Sequence, residues 1–222
     1  MAKVLKTKDK ILNAAERLFA EQGFEHTSLR QITSIADVNL ASVNYHFGSK
    51  KALIQAVMER YHAAFMPALD AGLVALQAQG FNTTEDVLNC FVEPLLNLDR
   101  LNPNGTSIYL SLLGHAYSEI QGHLRRFTMH HFGHVIQRVL ACIQQANPQL
   151  SAATIFWRLH FTLGATVFVQ VSGQALSEIA EADFDERADA KDIISKLIPF
   201  LAAGIAAPVN GNPDLSSTLA QG

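Results

Sequence analysis

Apolar residues fall at helical intervals from Ile11 onward. Ile11, Ala14, Ala15, Leu18 and Phe19 follow the i, i+3, i+4, i+7, i+8 spacing of one helix face. Gly23 then reads as a left-handed stop. Thr27 or Ser28 can cap a second helix, and Ser28 with Gln31 has the spacing of a capping box. Leu29, Ile32 and Ile35 are expected to face inward from it. After a break at Ala36-Asp37-Val38, Asn39 caps a third, very short helix that Phe47-Gly48 ends. Ser49 caps a fourth, expected from about 50 to 66 with Pro67 as its stop. Further helices are expected near 68–79, 84–100, 105–120, 122–146, 151–176 and 186–206. Gly80-Phe81-Asn82, Asn102-Pro103-Asn104-Gly105 and Asn147-Pro148 separate them. The acidic stretch 178–186 reads as a loop or frayed turn, and 209–222 as a mobile tail without apolar period. No strand pair, internal repeat or low-complexity block appears, so the expected fold class is all-α.

Composition narrows this further. Hydrophobic residues make up 49% of the 222 and charged residues 17%, which supports a sizeable core and excludes global disorder. Cys90 and Cys142 show neither metal-ligand spacing nor a disulfide framework, which suits a reducing cytosol. The start, MAKVLKTKDK, is basic but leads into an amphipathic segment, so no signal peptide is expected. The apolar run at 161–171 is too short to span a bilayer, and Arg158 and His160 precede it. Charge is unevenly spread: residues 1–60 carry +3 and the remainder −6. A basic head on an acidic body suggests that the head meets a polyanion.

Two short helices joined by a tight turn, under a longer first helix, describe a helix-turn-helix. A helix entering the roughly 12 Å wide major groove must be slim on its exposed side. In the third helix Val43 and Phe47 can anchor inward, leaving Ala41, Ser42, Asn44 and Tyr45 outside. Asn44 suits an adenine edge, Leu40 or Ala41 a thymine methyl, and Tyr45 and His46 phosphate oxygens. Lys50 and Lys51 lie in a first helical turn, where the macrodipole disfavours cations; a phosphate docked there reverses the sign. Either lysine alone is equally a solvated surface residue.

The runs ILNAAERLFAEQGFEHTSLRQIT and VNLASVNYHFGSKKAL, with His46-Phe47 and Lys50 at the close, resemble the TetR family of bacterial transcriptional regulators over about residues 8–60. The run VNLASVNYHFGSKKALIQAV is similar to its PsrA-type branch, which responds to fatty acids or their CoA thioesters. The resemblance implies a DNA-binding domain at 5–65 with its motif at about 28–47, then a ligand-binding and dimerisation domain at 66–208. Carried onto this sequence, the DNA-contacting candidates are Thr27, Ser28, Arg30, Asn39, Leu40, Ala41, Ser42, Asn44, Tyr45, His46 and Lys50. Two positions depart from the family's common pattern. Asp37 stands in the turn where Gly is frequent, and Asn44 stands two before His46 where Tyr is frequent. The implied partners are double-stranded operator DNA, a small lipophilic effector and a second copy of the chain as a homodimer, with no membrane. The implied location is cytoplasmic, at the nucleoid. The implied function is mainly repression, released by a long-chain fatty acid or acyl-CoA and bearing on fatty-acid degradation. The alternative is a repressor of efflux or catabolic genes answering a drug-like or aromatic compound.

The remainder of the chain offers candidates for the effector: Phe65, Phe91, Arg125, Arg126, Phe127, Phe132, Trp157 and Phe161. Ordinary helix packing is the simpler account of each phenylalanine, while the set permits an apolar pocket. The arginines can meet a carboxylate or a CoA phosphate. His123, His130 and His134 share roughly one helix face, but no Cys or Asp completes a set, so no metal is expected. Small residues Gly164, Ala165 and Gly173 within 156–175 allow close helix approach. With 193–205, where Pro199 can kink the helix, they can build a four-helix dimer interface or pack inside one subunit. No nucleophile elbow, paired carboxylates or complete phosphate loop occurs, Gly48-Ser49-Lys50 being only a fragment of one. Neither an enzyme nor a cofactor is expected.

Overall fold

The computed structural model describes residues 6–80, 82–118 and 122–209. Among these residues every regular element is helical and no strand occurs, as the apolar spacing predicts. The head comprises α1 (Thr7–Gln22), α2 (Leu29–Ala36), α3 (Leu40–Phe47) and the first turns of α4 (Lys50–Ala78). The body continues through α5 (Thr84–Leu96), a 3-10 turn (Asn97–Arg100), α6 (Gly105–Ser118), α7 (Gly122–Ala146), α8 (Ala152–Phe184) and α9 (Ala190–Ala206). Residues 1–5 of the basic start and 210–222 of the expected tail lie outside the described residues.

In the head, Ile11, Ala14, Ala15, Leu18 and Phe19 of α1 are all buried and meet Phe24, Ile32, Val43, Leu53 and Val57. Ile35 does not join them: it is 44% exposed, because α2 is only two turns long and its inward line runs through Ile32, Thr33 and Ala36. Ser28 and Gln31 close the expected capping box, with Ser28 N–H donating to Gln31 Oε1 (2.7 Å) and Gln31 N–H to Ser28 Oγ (3.2 Å). Gly23 has the expected positive φ of 82°, but its ψ of 169° is extended and not helical.

Pro67 does not stop the fourth helix. The 29 residues of α4 run through it, merging two expected helices and crossing the expected domain boundary at 65–66. Pro67 and Ala63 are exposed, so the carbonyl that loses its partner one turn back faces water. Phe65, Met66, Leu69 and Leu73 meanwhile bury against the rest of the body, offsetting the roughly 3 kcal/mol proline penalty. Pro94 and Pro199 likewise sit inside α5 and α9.

The acidic stretch is also helical. α8 continues to Phe184 and ends at Asp185 in the left-handed conformation. Arg187 pairs with Glu181 and Lys196 with Glu186, each at 2.7 Å, and so relieve the repulsion expected along that run. At 33 residues α8 is, among the described residues, the one helix long and apolar enough to cross a membrane by length and composition. It packs on α6, α7 and α9, and Arg158 ties it to the end of α9 through Ile205 O and Ala207 O, both at 2.6 Å. Its other side is bare. Trp157, Phe161, Gly164, Phe168, Val171 and Ala175, spaced alternately four and three residues apart, are all exposed. Gly173 instead faces Ile193 of α9 within the same chain.

Candidate nucleic-acid interface and effector region

The geometry of the head follows from three caps. Asp37 ends α2 at φ 51° and ψ 55°, taking up the left-handed turn where glycine is more usual. The Asn39 side chain then accepts from Ser42 N–H (2.9 Å) and from Ser42 Oγ (3.0 Å), which starts α3. Gly48 closes α3 at φ 75°, a conformation that a side chain would strain. Ser49 Oγ accepts from Ala52 N–H and starts α4 (3.2 Å).

Between these caps α3 is anchored by Val43, fully buried, and by half-buried Phe47, over whose ring Lys8 places its ammonium at 5.9 Å. Leu40, Ala41, Asn44 and Tyr45 are left exposed, Tyr45 by 85%. The His46 ring stands edge-on to Tyr45 at 5.0 Å. Ser28 and Arg30 are exposed at the start of α2, and Lys50 is half-buried with its ammonium 3.5 Å from Glu25 O. The first turn of α4 holds no acidic residue, as a docked anion requires.

Two candidates have structural work. Thr27 is fully buried, its hydroxyl donating to Gly23 O (2.8 Å) with Leu18 O at 3.2 Å, and therefore does not reach a ligand. Ser28 and not Thr27 is the cap of α2.

The effector candidates divide. Phe65, Phe91 and Phe132 gather in the interior, whereas Arg125, Arg126, Trp157 and Phe161 are exposed. Trp157 and Phe161 stack on each other at 6.1 Å on the bare side of α8, because the inward side of that helix is taken by α6, α7 and α9. Phe127 packs against His131 at 4.6 Å, apart from the interior group. Two open surface clefts, of about 550 and 340 Å³, are lined by none of the eight candidates.

The interior group contains residues the sequence reading passed over. Tyr109 of α6 lies 5.5 Å from both Phe65 and Tyr61, and 5.7 Å from His62. The His62 ring is also 5.5 Å from Phe132 of α7. His62 is only 2% exposed, and burial pulls its pKa down from the usual 6.5 to about 4. Its Nδ1 has no hydrogen-bond partner. A signal existed: His62 sits four residues after Met58 and three before Phe65, on an otherwise apolar helix face.

Head and body meet through charge. Glu16 of α1 is 1% exposed; Arg60 Nη1 donates to it at 2.9 Å and to Asn13 at 2.8 Å, and Asn102, just before α6, donates to its other oxygen. His115 of α6 lies 3.3 Å from Ala20 O of α1. At the start of α7 the His123 pKa is lowered by burial, then by the positive charges of Lys51 and Arg126. Among the described residues no group of three His, Cys, Asp or Glu is placed to hold a metal ion.

Known proteins share both parts of this architecture. Residues 11–57 match the family model described as bacterial regulatory proteins, tetR family, and residues 89–204 match tetracyclin repressor-like, C-terminal domain. The probable HTH-type transcriptional regulator YttP of Bacillus subtilis is 34% identical over 82 residues, which are 37% of this chain and 39% of that protein. The HTH-type transcriptional regulator UidR of Escherichia coli K12 is 30% identical over 104 residues, covering 41% and 53% of the two chains. The match thus spans about half or less of these relatives' length. Likeness of fold extends further. HlyIIR, a hemolysin II transcriptional regulator, superposes over 88% of this chain and 97% of its own with TM-score 0.54 at 22% identity. The fatty acid degradation regulator FadR of Bacillus halodurans does so over 95% and 100%, with TM-score 0.56 at 14% identity. With its second family model alone spanning more than half of the sequence, the chain belongs to the tetR family of bacterial regulatory proteins.

Proposed function

We propose that the chain is a DNA-binding transcriptional regulator, mainly a repressor, that works as a homodimer and is released from a near-palindromic operator by a small lipophilic effector. The observation that carries this reading is α3: a slim helix capped at both ends, anchored by Val43, and presenting Ala41, Asn44 and Tyr45 to solvent. Asn44 is the base-reading residue, and Tyr45, His46, Arg30 and Lys50 hold phosphates. Ser28 and Asn39 position the two helices. The division of labour is the one expected, residues 5–65 binding DNA and 66–208 binding effector and partner, with α4 continuous between them.

The bare side of α8, with exposed Phe200 of α9, is the surface a second copy covers. A membrane is the poorer occupant, because Arg158 and Gln170 on the same helix are committed to Ile205, Ala207 and Ser107 of this fold.

For the effector, the likeness of the head to the PsrA-type branch favours a long-chain fatty acid or acyl-CoA, acting on fatty-acid degradation genes. The aromatic interior around Tyr109 favours the second reading, a drug-like or aromatic compound. Footprinting on DNA selected from a random pool tests the regulator. The expected result is protection of two half-sites about one helical turn apart, with affinity falling steeply as salt rises. Equal affinity for all sequences would count against it. Oleate, oleoyl-CoA and an aromatic compound, added in turn, separate the effector readings by which of them lifts the protection.

A further inference from the structure

An unpaired polar atom in a packed interior is costly: leaving one buried without a partner costs about 1–3 kcal/mol. His62 Nδ1 is such an atom. It lies where α4, α6 and α7 converge, its ring edge-on to Tyr109 (5.7 Å, 88°) and inclined to Phe132 (5.5 Å, 67°). The further rings are Phe65, Phe91 and Tyr61, the first two 6.2 Å apart. The charged groups nearest this region along α4 are already engaged. Arg60 holds Glu16, and Asp70 accepts from Arg138 Nε at 2.7 Å. Arg125 and Arg126 are exposed on α7.

Resting on the reading of the chain as an effector-controlled regulator, we propose that His62 is the polar anchor of the effector seat, its Nδ1 hydrogen-bonding the single uncharged oxygen of an otherwise apolar molecule held between α4, α6 and α7. Phe91 and Phe132 are half-buried and form the rim that gives way on entry. The imidazole is neutral near pH 7, because burial holds its pKa at about 4. It therefore offers one hydrogen bond and no countercharge. A carboxylate brought here would be desolvated without a cation to meet it, which disfavours a free fatty acid. A thioester carbonyl and a phenol both supply the required neutral oxygen.

The full-length protein is titrated with oleoyl-CoA, oleate and 1-naphthol. The His62 Nδ1 resonance is followed by nitrogen NMR, and operator binding is measured on the same samples. The expected result is that oleoyl-CoA or 1-naphthol binds, moves the His62 resonance and outcompetes oleate; which of the two does so names the source of the oxygen. His62→Leu weakens that binding roughly three- to tenfold, and His62→Asn, which keeps a polar group near the Nδ1 position, restores most of it. Tightest binding by oleate, binding that leaves both the resonance and the His62→Leu affinity unchanged, or no binding by either neutral probe would overturn the seat. Intact operator binding with any of those results removes the seat alone. Ligand binding anchored at His62 without selective DNA binding keeps the seat and removes the regulator.

Discussion

Thr27 and Ser28 are equivalent as cap candidates in the sequence, and only burial separates them. Ser28 is exposed and closes the capping box, while Thr27 is sealed beneath α1 with its hydroxyl on Gly23 O. Replacing Thr27 by Val keeps the volume and removes the donor. We expect a loss of about 1–2 kcal/mol in urea unfolding, with operator affinity of the folded protein unchanged. A loss of affinity without loss of stability would return Thr27 to the interface. His62 carries a separate expectation about pH. Its folded pKa of about 4 lies below the ordinary 6.5, so the unfolded chain binds the proton first. Its contribution is complete above about pH 6.5 and is lost as pH falls toward 4. Between about pH 7 and about pH 5 that loss comes to roughly 2 kcal/mol, and urea midpoints for the protein and for His62→Leu should converge as pH drops.

At the scale of elements, the head was legible because its signals are local. Ser28 with Gln31, Asn39 and Ser49 each satisfy an N–H within three residues, so sequence spacing alone locates them. Asp37 is the same kind of signal: its φ of 51° is tolerated by a short polar side chain. Asp37→Gly should keep or slightly raise stability, whereas Asp37→Val should lower it by about 1–2 kcal/mol, read from thermal midpoints. Equal midpoints for the two would show that the turn does not need the left-handed residue. The body was less legible because its helix lengths are settled by contacts distant in sequence. Pro67 reads as a stop until the burial of Phe65, Leu69 and Leu73 is counted. The run 178–186 reads as a loop until Arg187 and Lys196 are brought against Glu181 and Glu186. The effector candidates suffered similarly: aromatic content shows that rings are available, but not which side of α8 is covered, so Trp157 and Phe161 were grouped with Phe65 and Phe132.

In the whole molecule, one chain leaves its longest helix half-covered. The exposed stripe from Trp157 through Phe161, Phe168 and Val171 is larger than the scattered apolar residues a monomer ordinarily shows. Its alternating four- and three-residue spacing is the seam of a helix that packs against another helix. Gly164 falls within the stripe with open space around its missing side chain, which lets a facing backbone come close. Glutamates at Phe161 and Phe168 would place two carboxylates against their own symmetry mates. The double substitution should therefore give a monomer in sedimentation, with little change in helical signal, because neither ring is buried in its own chain. Operator binding gives the second readout. A dimer presents two copies of α3 to two half-sites, so the monomer should lose affinity for the full operator by orders of magnitude while keeping weak, salt-sensitive contact with DNA. The head itself, tied to the body by Glu16, Arg60 and Asn102, is untouched by the change. A wild-type chain that sediments as a monomer, or a double variant that stays dimeric, would move the interface away from α8. A monomeric variant that protects the full operator as well as the wild type would show instead that pairing through α8 is not how the two recognition helices are held.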